Sequence, residues 1–248
     1  MKPFLLLQSR PEDPASNNEY DGFLNAANLR PDQLERIRVE AAPLPVIDLD
    51  RYSGIIVGGG PYNASDPEEK KSDTQKRVEA DFARLLQELV EKDFPFFGAC
   101  YGVGTLGALL SGTISRKYAE AVGPVAISLT PEGRKDPLLT GLPDTFQAIV
   151  GHKEACEVLP PSAVHLASSP ICPVQMFRVK NNLYVTQFHP ELDIEGLRIR
   201  VNIYKHAGYF PAEDAEAVIE NAKSADLSYV PLILKNFVAK YSQPLIAS

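Results

Sequence analysis

The chain has 248 residues, a net charge of −7 at pH 7, 44% hydrophobic residues and 23% charged residues. This composition is typical of a globular protein that buries a full hydrophobic core. No cluster of lysine and arginine stands out, which disfavours nucleic acid as a partner because binding to phosphates requires such clusters.

Neither export nor membrane insertion is indicated. The apolar run from Phe4 to Leu7 is too short for the hydrophobic region of a signal peptide, and no stretch approaches the ~20 apolar residues of a membrane span. The three cysteines, Cys100, Cys156 and Cys172, are odd in number and lack the spacing of a metal site. We therefore expect a reduced, cytoplasmic protein with no membrane partner, no metal and no cofactor.

Short apolar runs alternate with helical patterns along the first part of the chain. The runs Phe4–Leu7, Ile55–Val57 and Phe94–Phe97 predict buried strands. Apolar residues at helical spacing predict one helix over residues 72–91, and a second is predicted over Tyr101–Leu110. This order of strand, helix, strand, turn and helix predicts a parallel sheet with helices on both faces.

In the middle of the chain, about residues 113–188, the sequence pattern changes from alternating strands and helices to successive strands. Runs typical of strands follow one another between turns rich in proline and glycine: 124–129, 145–150, 173–179 and 183–188. The pair Asn181-Asn182 predicts a hairpin turn. Helical patterns return from Glu191 onward. Without an evident repeat or linker, we expect one domain over residues 1–248, with a C-terminal helical extension at about 192–248.

The sequence Gly98-Ala99-Cys100-Tyr101-Gly102 stands directly between an apolar strand and a helix. This G-x-C-x-G order is typical of a nucleophile elbow, in which small flanking residues keep a tight, strained turn clear of its neighbours. The helix start beneath the sulfur favours negative charge, so we expect the thiol pKa to fall from its normal ~8.5 toward neutrality. The alternative is a small buried core residue, since free cysteines are often buried.

The tripeptide His189-Pro190-Glu191 follows another apolar run. A histidine at a strand end can act as general base toward a thiol, and a carboxylate two residues later can hold its other ring nitrogen. By itself the motif is a weak signal and is more typical of a histidine in a solvated loop. Its pairing with an elbow cysteine favours a catalytic role.

A glycine-rich loop, Gly58-Gly59-Gly60-Pro61, lies at the end of the second predicted strand. Such a loop offers backbone N–H groups to an oxyanion. A phosphate is disfavoured as the acceptor, because the lysine and hydroxyl residue of a P-loop are missing and the Rossmann spacing is not met. A plain turn remains the alternative.

Together, these motifs resemble the class I (triad) glutamine amidotransferase family, in which a Gly-Gly-Pro loop, a G-x-C-x-G elbow and a His-Pro-Glu ending occur in this order. The segment Gly151–Glu154 resembles the family's segment with a histidine and, two positions later, an acidic residue. Free-standing proteins related to the glutaminase domain of GMP synthetase are similar in these features. The resemblance implies an α/β fold, a three-layer sandwich with a mostly parallel, flavodoxin-like central sheet and a small extra antiparallel segment.

The resemblance also implies the roles of single residues. Cys100 is then the nucleophile, His189 the base and later the acid, and Glu191 the orienting carboxylate. The N–H groups of Gly60 and Tyr101 are the implied oxyanion donors.

The implied substrate pocket includes Gly59, Gly104 and His152. The implied reaction is hydrolysis of the side-chain amide of L-glutamine through a γ-glutamyl thioester. Because the sequence offers no second domain to accept the ammonia, we expect either that a separate synthetase partner takes it or that the protein is a stand-alone hydrolase.

Two alternatives to a glutaminase stay open. Gly104 stands where the family commonly has a glutamine, which favours a wider pocket and hydrolysis of other γ-glutamyl compounds. A non-catalytic binding or regulatory protein on the same scaffold is the other alternative, which the intact set of Cys100, His189 and Glu191 disfavours.

Overall fold

The computed structural model describes residues 1–244, so the last four residues of the predicted C-terminal extension lie outside the described part. The strands are β1 (Phe4–Gln8), β2 (Leu34–Arg38), β3 (Gly54–Val57), β4 (Phe96–Ala99), β5 (Thr113–Ser115), β6 (Glu120–Leu129), β7 (Thr145–His152), β8 (Ala155–Val158), β9 (Ala163–Ser168), β10 (Met176–Val179) and β11 (Leu183–Thr186). The α-helices are α1 (Asp13–Ala27), α2 (Asp73–Lys92), α3 (Tyr101–Leu109), α4 (Ile194–Tyr204), α5 (Ala215–Lys223) and α6 (Pro231–Tyr241).

Nine strands form one mixed sheet. Its first five strands, in the order β2-β1-β3-β4-β11, pair in parallel. This is the strand order of flavodoxin-like sheets. At β11 the direction changes, and β10, β9, β6 and β7 continue the same sheet in antiparallel pairing. Strands β5 and β8 form a separate antiparallel pair. The predicted α/β fold is confirmed, and the antiparallel part also extends the main sheet.

Helices cover both faces of the parallel strands. In the fully buried β1, Phe4 and Leu6 belong to one core cluster and Leu5 and Leu7 to another. Successive side chains of a strand point to opposite faces, so β1 contributes to both. Helices α1 and α6 contribute to the first cluster, and α2 and α3 to the second. This double burial explains why the strand is a continuous apolar run in the sequence.

A third, smaller cluster joins the C-terminal helices to the antiparallel end of the sheet. Leu197 and Val201 of α4 and Ile219 of α5 pack there with Ile149 of β7. Helix α4 also contacts α1. None of the helices within residues 1–244 combines the length and apolar composition that a membrane crossing requires.

The packing of α6 predicts a large loss of stability for Phe237→Ala. The Phe237 ring is fully buried, and its centroid lies 5.8 Å from that of Phe4 and 5.6 Å from that of Phe97. The cavity left by alanine should lower the free energy of unfolding by about 3–5 kcal/mol, as measured by urea denaturation. Val46→Ala is the control, because Val46 is 94% exposed. A Phe237→Ala effect no larger than that of the control would contradict this packing.

Candidate active site

The parallel pairing of β4 with β11 brings two of the predicted motifs to one edge of the sheet. Gly98 lies opposite Val185, so the residues that follow both strands leave the sheet on the same side. Gly60, which follows β3, joins them. Cys100, His189 and Gly60 line one cavity at the carboxyl ends of the parallel strands, where ligands bind in open α/β sheets.

Cys100 occupies the strained turn that the G-x-C-x-G order predicts. Its backbone has φ 53° and ψ −82°, in a region that residues other than glycine rarely adopt. The Cys100 N–H donates to the carbonyl oxygen of Thr186 at 2.7 Å. A Cβ on Gly98 would lie 2.8 Å from the Cα of Gly102, so strand and helix meet at a distance that only glycine allows.

The thiol of Cys100 is protonated at neutral pH. Burial raises the pKa of Cys100 to about 12, although the positive charge of Arg10 opposes the increase. The prediction of a pKa near neutrality is therefore wrong, because removing water from around the sulfur outweighs the helix start and the nearby cation. The amide nitrogen Nε2 of Gln187 lies 3.8 Å from Sγ.

His189 and Glu191 form a buried pair. The Nδ1 of His189 lies 2.9 Å from Oε1 of Glu191. Burial lowers the pKa of His189, and Arg200 and Arg10 lower it further against the attraction of Glu191. Burial alone would raise the pKa of Glu191, but His189 and Arg200 together hold it well below its usual range. The imidazole is thus neutral at neutral pH, and with Nδ1–H donating to Glu191, its Nε2 is free to accept a proton.

Three charged residues that the sequence analysis missed surround this pair. Arg200 of α4 donates from Nη1 to Oε1 of Glu191 at 3.0 Å. Glu19 of α1 is fully buried and accepts from Nε of Arg10 at 2.9 Å and from the N–H of Gly59 at 3.1 Å. Their alternating signs keep each buried charge beside an opposite one, which limits the cost of removing it from water. None of these three residues belongs to a sequence motif. The one feature that could have indicated a role in the site is the position of Arg10 just after the end of β1.

The predicted oxyanion donors lie beside the nucleophile. Gly60, Cys100 and Tyr101 line a common cavity. The N–H of Tyr101 belongs to the first turn of α3, where a helix offers no internal acceptor. Gly59, which the resemblance places in the substrate pocket, donates its N–H to Glu19.

Two cavities meet at Cys100. The small cavity, of about 20 Å³, carries most of the polar side chains: Asn63, His152, Lys153, Glu154 and Gln187. The large cavity, of about 110 Å³, contains His189 and several apolar side chains: Val122, Ile149, Leu192, Leu197 and Val201. The two share five residues: Gly60, Cys100, Gly151, Lys153 and Tyr209. The sulfur therefore stands between a polar and a mainly apolar chamber.

The position of Gly104 does not widen the small cavity. A Cβ on Gly104 would lie 2.6 Å from Oε1 of Glu154. The Glu154 carboxylate is held there by the N–H groups of Ala64 and Ser65, at 2.9 and 2.8 Å. Burial raises the pKa of Glu154. The expected enlargement at Gly104 is therefore wrong, because an acidic side chain from the loop between β7 and β8 fills the space.

His152 lines the small cavity but has both ring nitrogens in use. Nδ1 lies 2.9 Å from the backbone oxygen of Glu154, and Nε2 lies 2.9 Å from Oε2 of Glu120. The ring can therefore shape the cavity and position Glu154, while its nitrogens stay bound within the protein.

Glu120, His152 and Cys172 place one potential metal-ligand atom each within 4.8 Å of one another. The spacing of the cysteines along the chain does not indicate this cluster. Ser169 and Gln175 donate to the carboxylate of Glu120, which His152 also contacts. The cluster is thus a hydrogen-bonded support behind the small cavity.

The family model described as glutamine amidotransferase class-I matches residues 30–198, more than half of the chain. The chain belongs to this family. The match includes the glycine-rich loop, Cys100, His189 and Glu191, and it ends within α4.

Curated relatives are similar over part of their length. A glutamine-hydrolyzing GMP synthase of Borrelia garinii is 29% identical over 150 residues, which cover 60% of this chain and 26% of that protein. A shorter relative from Methanoculleus marisnigri, named as one subunit of a glutamine-hydrolyzing GMP synthase, is 30% identical over 140 residues, which cover 56% of this chain and 65% of that protein. The chain thus spans about a quarter of the first relative and less than two thirds of the second.

Solved structures share the fold over nearly the whole chain. A glutamine amidotransferase of Thermotoga maritima has a TM-score of 0.76 and 18% identity, covering 97% of this chain and 98% of its own. A glutamine amidotransferase of Methylobacillus flagellatus has a TM-score of 0.72 and 19% identity, covering 100% and 98%. At these identities the likeness establishes the fold.

The protonated state of Cys100 predicts its reactivity toward iodoacetamide. Only the thiolate reacts, so with a pKa of about 12 the alkylation rate should rise by about tenfold per pH unit without a plateau. Mass spectrometry of peptides quenched between pH 7 and pH 10 measures this rate. Cys156 and Cys172 are the internal controls, because they are buried and should react more slowly still. A plateau beginning near neutral pH would show a preformed thiolate and contradict this picture.

Proposed function

We propose that the protein hydrolyses the side-chain amide of L-glutamine, with Cys100 as nucleophile, His189 as proton carrier and Glu191 as the carboxylate that orients it. The observation that carries the proposal is that the strained Cys100 and His189 line one cavity, while Glu191 holds the Nδ1 side of His189. Membership of the class I glutamine amidotransferase family supports it.

The first step is attack of sulfur on the amide carbon. The Cys100 thiol and the His189 imidazole are both neutral beforehand, so the thiol proton moves to Nε2 of His189 as the bond forms. The developing oxyanion accepts hydrogen bonds from the N–H groups of Gly60 and Tyr101. Glu191 stabilises the imidazolium that results.

The second step returns the proton. The imidazolium of His189 protonates the leaving nitrogen, the C–N bond breaks, and ammonia departs from a γ-glutamyl thioester on Cys100. Water then attacks the thioester while His189 accepts its proton, which releases glutamate and restores the thiol. Arg200 acts as a positioning residue, because its hydrogen bond restrains Glu191.

The α-ammonium end of the substrate is proposed to bind on the side of the sulfur that Glu154 occupies. The carboxylate of Glu154 lies there, fixed by two backbone N–H groups, and offers negative charge to the α-ammonium group of glutamine. The amide nitrogen then faces His189 on the other side of the sulfur.

A separate enzyme is the proposed acceptor of the ammonia. Support comes from the Methanoculleus marisnigri relative, whose name describes one subunit of a GMP synthase and so implies a partner chain for that protein. The acceptor itself is a synthetase whose ammonia site docks near the mouth of the cavity.

Replacing the nucleophile gives the first test. Cys100→Ser should lower the rate of ammonia release from L-glutamine at least about a thousandfold, because a serine hydroxyl is far less acidic than a thiol. The matched control is Cys156→Ser, in which the hydroxyl can keep the hydrogen bond that Cys156 Sγ makes to the carbonyl oxygen of Val158. Equal loss in both variants, or activity retained in Cys100→Ser, would contradict the assignment.

The protonation states predict the pH dependence of kcat/KM for L-glutamine. The reaction needs neutral His189, and burial lowers its pKa, so the acid limb should lie below the ordinary histidine value of about 6.5. Because the thiol pKa is about 12, the profile should then stay flat to about pH 9. A loss of activity between about pH 7 and 9 would instead indicate a thiolate–imidazolium pair.

A further inference from the structure

The side of the site that Glu154 occupies is too small to receive the substrate. The small cavity has about 20 Å³, and one water needs roughly 10–15 Å³ on the same scale, so the cavity holds about one or two waters. The α-carbon of glutamine with its ammonium and carboxylate groups is larger than that. Under the proposed function the α-ammonium end binds beside Glu154, so one wall of this cavity must move before glutamine can enter.

The loop after β3 forms one wall of the small cavity and is firmly held. The N–H groups of Ala64 and Ser65 donate to the carboxylate of Glu154 at 2.9 and 2.8 Å. Nε2 of Gln75, in α2, donates to the carbonyl oxygen of Asn63 at 3.0 Å. Moving this wall would break several hydrogen bonds at once.

Another wall comes from residues 205–211, between α4 and the short 3₁₀-helix Ala212–Asp214. Among residues 1–244, one hydrogen bond joins this segment to a part of the chain other than its flanking helices: Nζ of Lys153 donates to the carbonyl oxygen of Ala207. A segment with so few hydrogen bonds to the rest of the protein opens at low cost. This wall is therefore the one that can move.

The segment lies on the outside of the protein and sends two rings inward. Residues 205–208 are exposed, whereas Tyr209 and Phe210 are half-buried. Between these two parts, Gly208 has a φ of 78°, a conformation that glycine adopts without strain. The segment thus covers the cavities from the solvent side.

Tyr209 and Lys153 stand between the two inner cavities and the surface. Both line the small cavity, the large cavity and a third, outer cavity of about 410 Å³. The outer cavity is also lined by the exposed residues Arg116 and Ala119. Nζ of Lys153 lies 4.5 Å from the centroid of the Tyr209 ring, within the range of a cation–π interaction. The pair thus separates Cys100 from the outer cavity.

We infer that residues 205–211 form a lid over the proposed catalytic cavity, that Lys153 holds this lid closed, and that the lid opens to admit glutamine and to release glutamate. This inference rests on the proposed function of Cys100. Closing shields the sulfur and the amide from solvent during the attack. Lys153 directly precedes Glu154, so a substrate bound at Glu154 lies beside the residue that holds the lid.

Labelling of Cys100 by two maleimides of different size tests the lid without requiring turnover. N-Ethylmaleimide and N-(1-pyrenyl)maleimide react with the same thiolate, so the ratio of their rates is independent of the thiol pKa. Lys153→Met keeps the length of the side chain and removes its hydrogen bond and its charge. We expect this variant to raise the ratio of the pyrenyl rate to the ethyl rate about fivefold or more, measured by mass spectrometry of the peptide that contains Cys100.

Lys117→Met is the matched control. Nζ of Lys117 also lies over a tyrosine ring, 5.0 Å from the centroid of Tyr118, and pairs with Glu157. Lys117 lines none of the three cavities, so this variant should leave the ratio within about twofold of that of the unaltered protein. An unchanged ratio in a folded Lys153→Met protein, or an equal rise in both variants, overturns the lid.

Hydrogen exchange gives a second readout that leaves Lys153 in place. Cys100→Ser can bind saturating L-glutamine without rapid turnover. We expect bound glutamine to slow exchange of the backbone N–H groups of residues 205–211 about threefold or more, while exchange in α6 stays unchanged.

The outcomes separate the lid from the proposed function. Protection of the glycine-rich loop without protection of residues 205–211 overturns the lid alone. No protection anywhere, together with an unchanged maleimide ratio in Lys153→Met, contradicts both proposals. No protection together with a raised ratio supports the lid and contradicts the choice of glutamine.

Discussion

The parallel pairing of β4 with β11 is the interaction on which the site depends. It aligns Ala99 with Thr186, and the next backbone N–H, that of Cys100, donates to the Thr186 carbonyl oxygen at 2.7 Å. The positive φ of Cys100 costs about 1–3 kcal/mol and persists only where surrounding structure fixes it. The same pairing brings His189, three residues beyond Thr186, to the edge where the thiol lies. One stretch of hydrogen bonds therefore fixes the strained backbone of Cys100 and brings His189, the proposed base, to the same edge.

Burial then determines which proton states these groups adopt, and a buried set of charges modifies its effect. Arg10 and Arg200 counter Glu19 and Glu191, and the thiol and imidazole between them stay neutral at neutral pH. In the proposed mechanism, the proton of the thiol therefore moves to His189 during the reaction and is not transferred in advance. Helices α1 and α4, which supply Glu19 and Arg200, contact each other, so their packing is part of the electrostatics of the site.

Sequence reasoning works where the signal is contiguous. The strands that precede Gly58, Cys100 and His189 are apolar runs, each directly followed by a motif, so their places at one sheet edge follow from the parallel fold. The features of the site that sequence reasoning does not predict depend on contacts between segments that are distant in the chain. Arg10 pairs with Glu19 of α1, and Arg200 of α4 pairs with Glu191 of the preceding loop. The raised thiol pKa is a consequence of burial. Glu154 fills the space at Gly104 from a different loop, so the absence of a side chain there does not predict an open pocket.

The central claim, that Cys100 carries the acyl group, is tested most directly by trapping the intermediate. The protein is mixed with saturating L-glutamine, quenched in acid within the first turnovers, digested, and analysed by mass spectrometry. The account predicts a single γ-glutamyl adduct on the peptide that contains Cys100, with none on the peptides that contain Cys156 or Cys172. Glutamate formation without any adduct, or with the adduct on another residue, would contradict it.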